Sequence, residues 1–107
     1  MGPEASAELY FKIIKLCQAK YKAELDEDYP PMIIYNLPAP QMIANLKNKD
    51  RLLEALIQSV AKLENAGADF IVIACNTVHY FLPELRKAVM ITIVSIMEEV
   101  GKKVLKN

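Results

Sequence analysis

An excess of charge of one sign is the first thing this chain lacks. Its 107 residues carry 13 Lys plus Arg against 13 Asp plus Glu, a formal net charge of zero. That balance gives no electrostatic footprint for nucleic acid or for an anionic membrane, so neither is expected as a partner. Long apolar runs are missing as well. None approaches the roughly 18–20 residues that cross a bilayer, and no basic region followed by an apolar stretch opens the chain as a secretory signal would. Cysteine is scarce, with Cys17 and Cys75 alone, and His79 is the one histidine. Two cysteines in a chain with no signal do not make a disulfide framework. Neither cysteine has a second one two or three residues away, so no metal is expected either. Reduced thiols in a cytoplasmic chain are the simpler reading. There is no internal repeat, low-complexity tract or linker.

What is present is a chain that is 53% hydrophobic. Its length suits one domain with a real core, although a domain this small has a large surface for its volume. Pro3 and Glu4 suit a first helical turn. Ala7, Tyr10, Phe11, Ile14 and Cys17 follow at three- and four-residue steps, which predicts a helix stripe. The pattern fades into the charged stretch 20–28, whose acidic part reads as a solvated loop. Pro30 and Pro31 then stop any helix. Met32 to Tyr35 is a short apolar run between prolines and predicts a buried strand. Leu52, Leu53, Leu56, Ile57, Val60 and Leu63 form a second helical stripe, with Asp50 as its expected cap and Gly67 as its left-handed ending. Asp69 to Ala74 reads as a strand buried on both faces. A helical stretch broken or restarted at Pro83 follows, then a third strand over Ile91 to Ile96, then a helix over Met97 to Lys106.

This alternation predicts an α/β domain: a three-layer, mostly parallel sheet flanked by helices. A helix opening on Gly2-Pro3-Glu4 normally follows the first strand of such a sheet, so a strand is expected upstream.

The local signal richest in chemistry is Ala74-Cys75-Asn76-Thr77-Val78-His79. It places a cysteine at the carboxyl end of a buried strand and at the mouth of the next helix, where open α/β sheets bind ligands. Amide groups at a helix start favour an anion and a thiolate. A thiolate there can act as a general base or a nucleophile. The plainer reading is a small buried residue followed by ordinary helix caps. His79, four residues on, is a candidate Cys–His partner, although packing or a hydrogen bond at the helix start suits it better. Cys17, on the inner face of the first helix, reads as a core residue.

Cys-Asn-Thr-x-His after a strand resembles the first catalytic motif of the aspartate/glutamate racemase family. Other segments agree in order and spacing. Residues 1–5, Met-Gly-Pro-Glu-Ala, resemble the end of the glycine-rich turn after that family's first strand. Gly67-Ala68-Asp69 resembles the lead-in to its cysteine strand, and Met32 to Asn36 its second strand. Pro38 and Pro40 fall in a loop the family also fills with prolines. The resemblance implies a flavodoxin-like racemase half and a cofactor-independent isomerase that uses neither pyridoxal phosphate nor metal. It implies Cys75 as an α-proton acid/base, Asn76 and Thr77 as holders of a small amino-acid substrate, and Gly2 approaching that substrate with its backbone.

Inversion needs a base on each face of the α-carbon, and this chain has one motif cysteine. The family's first strand, its second domain with a Cys-Thr motif, and an arginine in the 37–42 loop are not in the sequence. The expectation is a single amino-terminal domain, inactive as a racemase alone and able to pair as a homodimer through exposed sheet edges. A non-enzymatic dimerising fragment and a single-cysteine hydrolase or decarboxylase relative are the alternatives.

Overall fold

The computed structural model describes residues 3–38, 48–75 and 77–94. Helix α1 spans Pro3–Tyr21, α2 spans Asn48–Asn65, and strand β1 is Phe70–Val72. A 3-10 turn, Thr77–Phe81, runs into helix α3, Leu82–Ala88, and strand β2 is Thr92–Val94. The class is α/β: β1 and β2 pair in parallel, Phe70 opposite Thr92 and Val72 opposite Val94, with helices packed against them. The expected final helix over 97–106 and the end of the third strand lie outside the described residues.

The core explains why these elements sit where they do. Leu52, Leu56 and Val60 fall on one stripe of α2 and are buried, as their spacing predicts. They meet Ile71 and Ile93 from the strands and Ile73, Val78, Phe81, Leu82 and Leu85 from the connection between them. Buried Ser59 on the same face donates its hydroxyl to the Ala55 carbonyl, 2.7 Å away. Pro83 falls in the first turn of α3, the position where its missing N–H costs nothing.

The end of α2 matches its sequence signal in detail. Gly67 has φ +100°. The amide of Gly67 donates to Glu64 (3.0 Å) and that of Ala68 to Leu63 (3.1 Å), the paired bonds of a Schellman ending. The start differs. The helix is already formed at Asn48, so Asp50 lies inside the first turn, where its charge faces the positive end of the dipole, and is not the cap.

Three further expectations are corrected. Met32 to Tyr35 is extended but belongs to no strand. No described strand lies along it, and Ile33 and Ile34 are more than half exposed. The segment is held by side chains instead: Lys62 donates to the Tyr35 hydroxyl at 3.2 Å, and Leu37 packs against the core. The strand predicted at 69–74 shrinks to three residues, and its faces are unequal. Ile71 is buried while Phe70 is 59% exposed, because α2 and α3 cover the face that carries Ile71 and Ile93. Finally, α1 has no fully buried residue. Its half-buried side is Leu9, Tyr10, Ile13, Ile14 and Cys17, with Ala7 and Phe11 turned outward. Lys22 takes a left-handed φ of 54° to end it. Beyond it, the Asp28 carboxylate accepts the amides of Glu24 (3.0 Å) and Leu25 (2.9 Å). Those bonds hold its acid below the ordinary 3.8.

Candidate functional site at the carboxyl end of the sheet

Cys75 lies three residues past the end of β1. The strand draws Ile71 and Ile73 into the core, and the next turn is pinned by Val78 and Phe81, 2% and 1% exposed. Between these anchors the chain must bend, and the bend presents Cys75. Its side chain is half-buried and packs partly against the core. The position is the one where parallel α/β sheets open toward ligands.

His79 closes this bend. Its Nδ1 donates to the carbonyl oxygen of Cys75 at 2.9 Å. A carbonyl can only accept, so Nδ1 carries the proton in that bond. Its other nitrogen, Nε2, is buried and has no partner among the described residues. Neither ring nitrogen is used on the Cys75 thiol, so the candidate Cys–His pair is not formed. The hydrogen-bonding role at the start of the helix is the one His79 takes.

Of the other site candidates, Thr77 opens the 3-10 turn two residues after Cys75. Asn76 and Gly2 lie outside the described residues. Cys17 sits half-buried on α1, and no disulfide joins it to Cys75.

Nothing in the sequence pattern pointed to Lys49. Its Nζ donates to the Tyr80 hydroxyl at 2.8 Å and lies 4.7 Å from the centre of the Tyr80 ring. The hydrogen bond to Tyr80 is the main reason its ammonium is held above the usual lysine value. This contact fastens the first turn of α2 to the turn that follows Cys75. It joins residues 31 apart in sequence, so no local pattern announces it. No helix among the described residues is long and apolar enough to cross a membrane.

Comparison with known proteins bears on the family of the chain. The family model for Asp/Glu/hydantoin racemases matches residues 1–107. The broad specificity amino-acid racemase RacX of Bacillus subtilis (strain 168) is 36% identical over 104 residues, covering 97% of this chain and 46% of the relative. The crystal structure of an aspartate racemase homologue from Pyrococcus horikoshii OT3 superposes with a TM-score of 0.83 at 30% identity, covering 97% of this chain and 45% of that one. The chain thus spans about half the length of the relatives it matches, their amino-terminal portion.

Proposed function

This chain belongs to the Asp/Glu/hydantoin racemase family, and on that premise we propose that it is one half of an amino-acid racemase in which Cys75 exchanges the substrate α-proton. The observation that carries this reading is the placing of Cys75, half-buried at the carboxyl end of β1. A thiolate there removes the proton from one face of the α-carbon and, as the thiol, returns it to the same face. Asn76 and Thr77 hold the substrate's amino and carboxylate groups, and the Gly2 backbone approaches it. The scheme calls for no cofactor, and its reduced thiol fits a cytoplasmic chain.

Inversion needs a donor on the opposite face, and that donor belongs to the rest of a whole racemase. Alone, this chain exchanges the α-proton without inverting the centre. Aspartate and glutamate are the first substrates to test. The sequence at 37–42 carries no arginine to fix a second carboxylate, which widens the range toward other amino acids.

The experiment is α-proton exchange in heavy water, followed by proton NMR, for both enantiomers of aspartate, glutamate and a panel of neutral amino acids. The expected result is exchange of one enantiomer without inversion, abolished in Cys75→Ala. Interconversion of both enantiomers means that a second copy supplies the other base. No exchange of any amino acid by the folded chain overturns the reading.

One observation favours a second reading, association without catalysis. Ile33, Ile34 and Phe70 are each more than half exposed, and among the described residues β1 pairs only with β2. A strand edge that no described strand pairs, on a strand that exposes Phe70, invites a second chain.

A further inference from the structure

We propose that His79 is a positioning residue for Cys75, acting through the backbone and not through the thiol. The inference rests on Cys75 as the working thiol, and it assigns a task to a side chain with a buried ring nitrogen that the scheme above leaves idle.

The Nδ1–H of His79 donates to the Cys75 carbonyl at 2.9 Å. That oxygen belongs to the peptide group that follows Cys75. A planar peptide is a rigid unit, so holding its oxygen restrains the rotation of the backbone at Cys75. The side chain leaves the same α-carbon, and the restraint therefore sets the direction of the Cα–Cβ bond from which Sγ swings. The strand ladder ends at Val72, and the buried anchors resume at Val78. Next to His79 in the chain, Val78 and Phe81 are buried anchors of the core, and the Tyr80 and Phe81 rings meet edge to face at 5.1 Å. Its Nε2 is buried with no partner among the described residues, so the bond to Cys75 is the polar contact that orients the imidazole. A small misplacement of a reacting atom is costly in rate, which is why a backbone clasp one turn away matters to the chemistry.

The test compares His79→Asn with His79→Gln. The asparagine amide can place an N–H near the position of Nδ1. The glutamine amide reaches the position of Nε2 and leaves the carbonyl without its donor. Alkylation of Cys75 by iodoacetamide is followed across pH and read by peptide mapping, which separates it from Cys17. The expected result is a parent-like rate and pH midpoint for Asn. For Gln the rate falls by about fivefold, the worth of one neutral hydrogen bond, and the midpoint moves. A purely structural role would change the urea midpoint but leave the pH midpoint of alkylation in place. Parent-like profiles in both variants overturn the proposal.

A measurement on the unsubstituted chain guards against misfolding. Ring nitrogen-15 shifts should show the proton on Nδ1, and a proton on Nε2 alone overturns the proposal as surely. Since both readouts concern the thiol and the ring, a failure of α-proton exchange leaves them interpretable. That outcome removes the racemase chemistry and not the clasp.

Discussion

Glu64 offers the sharpest test of how this fold is held. Its Oε2 accepts two backbone amides just before β2, from Met90 at 2.7 Å and from Ile91 at 3.1 Å. The carboxylate thus ties the last turn of α2 to the start of a strand 26 residues away. Removing it by Glu64→Ala has unequal effects on the two donors. Met90 is 99% exposed, so water replaces the lost partner at little cost. Ile91 packs against the core, so its amide loses a partner where water reaches poorly, at about 1–3 kcal/mol. Against this stands a gain. A negative charge at the carboxyl end of a helix opposes the dipole, and its removal returns about 0.3–1 kcal/mol. The net expectation for Glu64→Ala is a loss of about 1–2 kcal/mol. In Glu64→Gln the amide oxygen still accepts, and the dipole gain offsets most of the lost charge, leaving a change within about 0.5 kcal/mol. Urea unfolding of the three proteins measures the order, and hydrogen exchange at the Ile91 amide localises it. If Ala matches the parent in stability and the Ile91 amide exchanges no faster, the clasp contributes nothing and the reasoning is wrong.

Gly67→Ala should cost about 1 kcal/mol in a thermal or urea melt, because its φ of +100° suits only glycine. No atom lies within 4 Å of the position a Cβ would take, so a much larger loss would point to a clash that the structure does not show. Leu85→Ala, at a side chain with 0% exposure, should lose about 2–5 kcal/mol; a loss under about 1 kcal/mol would mean that the site collapses around the cavity. Asp28 should titrate below the ordinary 3.8 by carbon-13 NMR. A depressed folded-state value means that the order it gives the 24–28 turn is present above the usual carboxylate range and lost as pH falls through the lowered value. Titration at or above 3.8 would remove the two amide bonds from consideration.

What could be foreseen in the sequence follows from what periodicity measures. The α2 stripe was legible because its apolar positions repeat at helical steps and face a sheet, and Gly67 because few residues tolerate that backbone. The cysteine at a strand end, followed by Thr77 and His79, was legible as a motif, and the structure puts Cys75 on the bend where the pattern implied. Depth of burial was not legible. The first helix shows the same steps as α2, yet Phe11 and Leu16 stay exposed, since amphipathicity states a preference and not whether a partner surface meets it. Met32 to Tyr35 has strand composition, but a strand is a pairing, and no described neighbour supplies one. The clasps through Glu64, Lys49 and His79 are single side chains reaching backbone or a hydroxyl. Of these only His79, four residues from its partner, was close enough in sequence to be suspected.

The position of the core along the chain carries a consequence for how the fold is reached. Among the described residues, the whole buried cluster lies between Leu52 and Ile93, and the strands that pair are 22 residues apart, from Phe70 to Thr92. Closing a loop of that size costs little entropy, and contacts this local favour fast folding. The stretch from α2 to β2 therefore has what it needs to condense first. The extended segment after α1 then docks on a surface that already exists, through contacts such as Lys62 to the Tyr35 hydroxyl. The bend that carries Cys75 is made in the first of these events, before the rest of the chain has settled.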